Sequence, residues 1–273
     1  MVTTMIGEDR RVGPDRRKAR DTALAEELTQ AMAGSAIEIL FQPQFDPSGM
    51  HVVGAEALAR WHHPRLGEVG GAKLFAMAER AGKSCVLSRH VARAALLEAS
   101  TWPQAPGREL RLSLNITAAG LAEPDFTDEM AGNLAASGFP PELLTLEITE
   151  QCLVADLERS AERLQRLADL GVRIALDDFG AGFCNFRYLK RLPLHYLKLD
   201  RSMVEGIEEN ASDLAILRGI LAMAQALELE VTAEGIERPA QREVIAREHC
   251  TSWQGFLGAR PMSGADFMAL VTG

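Results

Sequence analysis

Short apolar runs of strand character alternate with helical patterns along almost the whole chain. The runs are IEILFQPQF (37–45), VVGAEALARW (52–61), LRLSLNIT (110–117), LLTLEITE (143–150), VRIALDD (172–178), YLKLD (196–200), LEVTAEG (229–235) and SWQGFLG (252–258). Between most of them lie stretches of helical period, such as VLSRHVARAALLEA, FTDEMAGNLAAS, DLERSAERLQRLADLG and SDLAILRGILAMAQALE. Strands that alternate with helices imply a mainly parallel sheet, because parallel neighbours need a long crossover. Eight such strands in a chain of 273 residues match a (β/α)8 barrel. A doubly wound open sheet is the rival, but no G-x-G-x-x-G turn or Walker-type phosphate loop follows a strand. One connection breaks the rhythm. Only DPSGMH separates the first two runs, too little for a parallel crossover. The expected fold is an α/β modified TIM barrel whose first strand runs antiparallel to the second.

The ends of the chain set its organisation. EDRRVGPDRRKAR near the start is charged and has no apolar period, so residues 1–20 read as a flexible charged arm. DTALAEELTQAMAG then reads as a helix capped by Asp21 and ended by Gly34, which opens a single domain over 21–273. With 47% hydrophobic residues the chain can bury a full core, and its net charge of −9 argues against a nucleic-acid duplex as partner. The four cysteines form no C-x-x-C pair, which suits reduced thiols. No apolar run approaches the ~20 residues of a membrane span, and the expected location is cytoplasmic.

Polar oxygen-bearing residues recur at matching places near the strand ends. The first run offers Gln42 and Gln44, the second Glu56, the third Asn115, and the fourth Glu147 and Glu150. Asp177 and Asp178 close the fifth, Lys198 and Asp200 sit on the sixth, Glu234 on the seventh with Glu237 beyond it, and Gln254 on the eighth. In a barrel these ends converge on one face, where the active sites of this fold lie. Five carboxylates in one cavity repel unless some are protonated or a cation offsets them. Oxygen ligands suit hard ions such as Mg²⁺, Mn²⁺ or Ca²⁺. Two adjacent Asp, one able to bridge, suggest two ions about 3.5–4 Å apart, an arrangement suited to phosphoryl displacement.

These residues fall in motifs that make the chain recognisable. AEALARW (55–61), LSLNIT (112–117), LEITE (146–150), ALDDFGAGF (175–183), LKLDRSM (197–203), TAEGIE (232–237) and WQGF (253–256) occur in the order found in EAL domains. The chain resembles the EAL family of cyclic di-GMP phosphodiesterases over about residues 22–270. The resemblance implies two divalent ions, Mg²⁺ or Mn²⁺, and hydrolysis of cyclic di-GMP to linear pGpG. By it, Glu56, Asn115, Glu147 and Asp177 match ligands of the first metal. Asp177 bridges to a second that also takes Asp178 and lies close to Glu234. Lys198 matches a catalytic lysine on the water, Asp200 the residue that holds it, and Gln254 a glutamine near the nucleophile. Gln42, Arg60 and Glu237 match positions on the substrate, and Glu150 the residue that fixes the loop after Asp178. A homodimer is the family habit, and an upstream sensor or GGDEF domain, or a separate regulatory partner, fits the same pattern.

The chain departs from the family in places. The loop usually reading T-G-Y-S-S-L is AGFCNFRYL (181–189) here, His195 replaces an Asp, and GEVGGAKLF (67–75) lacks a usual proline and reads as looser. His62 and His63 read as a loop before Pro64 rather than as metal ligands, and Cys184 as a buried filler. The altered loop leaves an alternative to the hydrolase: an EAL domain of weak or no activity that serves as a cyclic di-GMP receptor. A pure protein-interaction domain, which predicts no nucleotide binding, is a third.

Overall fold

A computed structural model describes residues 14–103, 109–153, 156–182 and 186–273. After helix α1 (Pro14–Ala33) come strands β1 (Ile37–Phe45), β2 (Val52–His63) and β3 (Gly67–Gly70), and then helices α2 (Gly71–Arg80) and α3 (Ser84–Ala99). Strand β4 (Arg111–Asn115) leads to α4 (Ala118–Ala122) and α5 (Phe126–Ser137), β5 (Leu144–Thr149) to α6 (Leu157–Ala168), and β6 (Arg173–Phe179) to α7 (Phe186–Arg191). The chain ends with β7 (Tyr196–Leu199), α8 (Ala211–Ala226), β8 (Glu230–Ala233), α9 (Pro239–Arg247), β9 (Ser252–Trp253) and α10 (Gly264–Thr272).

The strands β1, β2 and β4 to β9 close into a barrel. β1 pairs antiparallel with β2 on one side and with β9 on the other, while β2 and β4 to β9 run parallel. The antiparallel first strand follows from its short connection, as the sequence implies. Beyond Phe45↔Trp253, closure is continued by Phe41, which exchanges backbone hydrogen bonds with Met262 at 2.8 and 3.0 Å. Phe41, Trp102 and Phe267 stack over that seam with ring centroids 4.8–6.0 Å apart.

Period-two alternation decides what each strand shows. Leu112, Leu146, Ile174 and Leu197 are fully buried within the hydrophobic core. Each such side chain contributes about 1.5–3 kcal/mol by leaving water. The intervening residues Ser113, Thr145, Ala175, Lys198 and Thr232 line one shared interior cavity. Branched apolar layers usually fill such a barrel; here the interior is largely polar. Helices cover the outside with matching apolar stripes. α6 buries Leu157, Leu164 and Leu167 and is capped by Asp156, whose carboxylate accepts from Arg159 N at 3.1 Å.

Several expectations change. α1 starts at Pro14, so Asp21 lies inside the helix rather than at its cap, and its carboxylate accepts from Arg80 at 3.4 Å. Residues 14–20 are therefore helical, while 1–13 lie outside the described residues. Of the segment read as loose, Gly67–Gly70 forms β3, paired antiparallel with β2 from Arg60↔Gly70 to His63↔Gly67, and residues 71–75 open α2. His62 and His63 end β2 rather than forming a loop. His63 Nδ1 accepts from the N–H groups of Arg65 and Leu66, which leaves the proton on Nε2, facing Glu27 at 3.2 Å. His62 Nε2 meets Glu38 at 2.8 Å. The eighth run keeps only Ser252–Trp253 as strand.

His195 joins β6 to β7. Its N–H donates to Ile174 O at 2.8 Å, and its Nδ1 accepts from Ile174 N at 3.2 Å. Burial and then the charge of Arg173 hold the imidazole below its ordinary 6.5. A folded-state value that is depressed gives stability that is complete above 6.5 and is lost as pH falls through the folded value. His195→Asn keeps an acceptor and does not titrate, so it is expected to flatten the fall in Tm between about pH 7 and pH 5. An unchanged slope would assign that fall to His90, which burial also pushes down.

Candidate active site

The barrel mouth gathers carboxylates from the ends of four strands around one ammonium group on a fifth. Lys198 Nζ, on β7, lies 2.6 Å from Glu147 Oε2, 2.7 Å from Glu234 Oε1, 3.1 Å from Asp177 Oδ1 and 3.7 Å from Glu56 Oε2. Lys198 is 2% exposed and Glu147 1%. Glu234 and Gln254 stand just past β8 and β9, yet their N–H groups still bond Leu199 O and Ala233 O at 3.0 and 2.9 Å. The sheet's hydrogen bonding thus carries both side chains to the mouth.

Glu56 is held by amides. Asn115 Nδ2 donates to its Oε1 at 2.6 Å, and Gln254 Nε2 to its Oε2 at 2.7 Å. Gln42 faces Glu56 directly across the β1–β2 pair, so the two side chains share a face. Arg60 follows four residues on along the same face, with Nη1 3.4 Å from Glu68 on β3. Its Nε is buried without a hydrogen-bond partner.

The adjacent Asp pair owes its geometry to an irregularity. The β6–β7 register shifts between Leu176 and Phe179, and Asp178 takes φ 56°, a conformation rare outside glycine. Alternation already points Asp177 inward with Ala175, and the turn at Asp178 lets its carboxyl reach the same cluster. Asp177, Asp178 and Glu234 bring ligand oxygens within 4.8 Å of one another. Gly180 completes the turn at φ 102°, where a Cβ would sit 2.4 Å from Met203. Strain of this kind gathers at functional sites.

Electrostatics crowd negative charge into the cluster. Burial pushes Glu147 up and Lys198 draws it down, but repulsion from Glu56, Asp177 and Glu234 leaves it well above the usual carboxylate range. Glu234 is pushed up to about 8 by burial and by Asp177 and Glu56, against the pull of Lys198. Asp178 is raised by burial and then by Asp177. Burial works against the charge on Lys198, yet Asp177, Glu147, Glu234 and Glu56 hold it well above its ordinary value. Glu147 Oε1 is buried with no partner, and Asp177 Oδ1 and Glu234 Oε1 sit at ion-pair distance without hydrogen-bond alignment. Five carboxylates against one ammonium, all hard oxygen donors, fit divalent cations such as Mg²⁺ or Mn²⁺.

Other expected residues sit apart from this hub. Asp200 accepts from Ser202 N at 2.9 Å and Ser202 Oγ at 2.6 Å, and it caps the next turn rather than gripping Lys198. Those bonds outweigh burial and lower its pKa. Glu237 is clamped by Arg201 through two bonds of 2.7 and 3.2 Å. Glu150 opens the turn after β5; the loop it was expected to fix runs through Phe183, Cys184 and Asn185, outside the described residues. Sequence reading overlooked Arg201, which nothing local ties to Glu237, and Ser113, a small hydroxyl in an apolar strand.

An α/β barrel closed by an antiparallel first strand carries at its mouth a carboxylate–lysine hub whose oxygens could hold hard cations. Residues 25–261 match the EAL domain model, and the chain belongs to the EAL domain family. It is 36% identical over 246 residues to the cyclic di-GMP phosphodiesterase NbdA of Pseudomonas aeruginosa, covering 90% of this chain and 31% of NbdA. It is 32% identical over 248 residues to the bifunctional diguanylate cyclase/cyclic di-GMP phosphodiesterase MucR of the same species, covering 91% of this chain and 36% of MucR. The chain therefore spans about a third of the length of these relatives. The MucR phosphodiesterase in complex with c-di-GMP superposes with TM-score 0.82 at 32% identity, covering 90% of this chain and 99% of that one. The EAL enzyme Bd1971, bound to cAMP and cyclic di-GMP, gives TM-score 0.85 at 25% identity, covering 93% and 70%. Among the described residues no helix is long and apolar enough to cross a membrane.

Proposed function

We propose that this domain hydrolyses cyclic di-GMP to linear pGpG with two divalent ions, Mg²⁺ or Mn²⁺. The observation that carries the reading is the convergence of Glu147, Asp177 and Glu234 within 3.1 Å of one buried ammonium, on a scaffold shared with cyclic di-GMP phosphodiesterases. Glu56, Asn115, Glu147, Asp177, Asp178 and Glu234 would hold the ions. When bound, such ions lower the pKa of water and carry charge developing on phosphorus. Without them Lys198 serves as the internal counter-charge of the same carboxylates. Its proton is retained across the physiological range, so its ammonium is available to orient an attacking water and offset negative charge on the phosphoryl oxygens. Asn115 and Gln254 fix both oxygens of Glu56 as acceptors. At the rim, half-exposed Phe256 carries the Arg260 guanidinium 4.1 Å from its ring centre, a surface suited to stacking a purine. Arg60 and the Arg201–Glu237 pair supply charge and hydrogen bonds for phosphate and base edges.

A second reading, a receptor without turnover, rests on the altered sequence AGFCNFRYL (181–189) that follows the Asp pair. A product assay on the purified chain separates the two. Chromatography is expected to show pGpG with Mg²⁺ or Mn²⁺ and none with EDTA. Tight calorimetric binding of cyclic di-GMP without product under saturating Mn²⁺ would leave the receptor. No nucleotide binding at all would end both readings.

A further inference from the structure

We infer that Gln44 is a positioning residue: it sets the direction of the Gln254 amide and, through it, the Glu56 carboxylate. This inference rests on the reading of Glu56 as a metal ligand. Gln44 is 8% exposed, on the interior face of β1, and its partner across β2 is Gly54, which puts no side chain beside it. Its Nε2 donates to Gln254 Oε1 at 3.2 Å and approaches Ser113 Oγ at 3.4 Å. Gln254 Nε2 then donates to Glu56 Oε2 at 2.7 Å.

The direction of this chain follows from donor and acceptor chemistry. An ionised carboxylate only accepts, so Gln254 must turn its NH₂ toward Glu56. Its carbonyl oxygen then faces the barrel interior, where a buried acceptor needs a donor. Gln44 supplies it from β1, and Ser113 on β4 receives the other N–H. Without Gln44 the reversed Gln254 amide would aim an oxygen at the carboxylate. Asn115 holds Oε1 from the opposite side at 2.6 Å, so loss of the Gln254 contact lets Glu56 pivot rather than leave. Partners that orient a metal ligand in this way typically change metal affinity or activity by about 10–100-fold.

The test is a double-mutant cycle on the full chain, read by Mn²⁺ titration calorimetry and by kcat and KM for cyclic di-GMP. Gln44→Met keeps length and removes the donor; it is expected to weaken Mn²⁺ binding roughly 10–100-fold and to lower kcat more than it raises KM. In a Gln254→Met background the same change should add less than about 2-fold, since its only route is gone. Mn²⁺ binding by Gln44→Met equal to wild type overturns the inference, and so does full additivity in the cycle. Wild type that takes up no Mn²⁺ overturns the metal reading and this inference with it. Thermal melts confirm folding; should Gln44→Met fail to fold, Gln44→Asn keeps an amide but falls one methylene short, and it should show the same loss.

Discussion

Lys198→Met is expected to destabilise the metal-free protein at pH 8 more than any other single change at the mouth. The ammonium lies within 3.1 Å of Glu147, Asp177 and Glu234 and is almost fully buried. Removing one partner of a buried ion cluster leaves uncompensated charge and costs roughly 3–5 kcal/mol. For a domain of this size that corresponds to a fall in Tm of about 6–20 °C. The loss should shrink toward pH 5, where the carboxylates can take up protons instead of repelling. Mn²⁺ should recover most of the stability, because cations can replace the missing positive charge. Turnover should remain roughly 10²–10³-fold down even with Mn²⁺, because the donor proposed to face the phosphoryl oxygens is gone. A variant that melts like wild type at pH 8 would remove Lys198 from the centre of the electrostatics.

What could be read from the sequence was what periodicity and local chemistry carry. Ile174 and Leu176 alternate with Ala175 and Asp177, which is enough to place two residues against the helices and two inside the barrel. The short DPSGMH link made β1 antiparallel. β3 escaped notice because GEVG holds a single large apolar residue, Val69, and its pairing with β2 is a tertiary event. The start of α1 escaped because its first turns are charged and lack an apolar period. At the site, residue types at strand ends announced a carboxylate cluster. They did not announce partners. The family resemblance made Asp200 the residue that holds Lys198, but local geometry gives its carboxylate to Ser202 two residues on. Glu237 and Arg201 meet only because the loops after β7 and β8 lie side by side: Gly235, at φ 67°, packs so close that a Cβ there would sit 2.6 Å from Arg201. The bulge that turns Asp178 to φ 56° was likewise invisible in a run that reads as continuous strand.

Asp177→Asn should separate folding from function. The substitution is isosteric and removes one of the mutually repelling charges, while Lys198 keeps Glu147 at 2.6 Å and Glu234 at 2.7 Å. Metal-free Tm should therefore move by no more than a few degrees. Mn²⁺ affinity should fall by more than the roughly 100-fold expected from an outer partner, because a directly coordinating charge is lost, and pGpG formation should fall with it. Proton counting gives a second readout. Glu234 holds a proton up to about pH 8 in the metal-free protein, and repulsion from Asp177 is one of its causes. Metal ligands must be ionised, so Mn²⁺ binding to wild type should release protons below pH 8, and its affinity should drop about tenfold per pH unit for each proton displaced. The raised value also means that the metal-free protein loses stability as pH rises from 4.5 toward 8, so Mn²⁺ should raise Tm most at the alkaline end. With Asn at this position Glu234 ionises more readily, and fewer protons should be released per ion at pH 7. Calorimetry in buffers of different ionisation enthalpy measures that number directly. Wild-type affinity that is flat from pH 6 to 8, or an Asp177→Asn variant that binds Mn²⁺ as wild type does, would show that the ions sit elsewhere and that Asp177 is only an internal partner of Lys198.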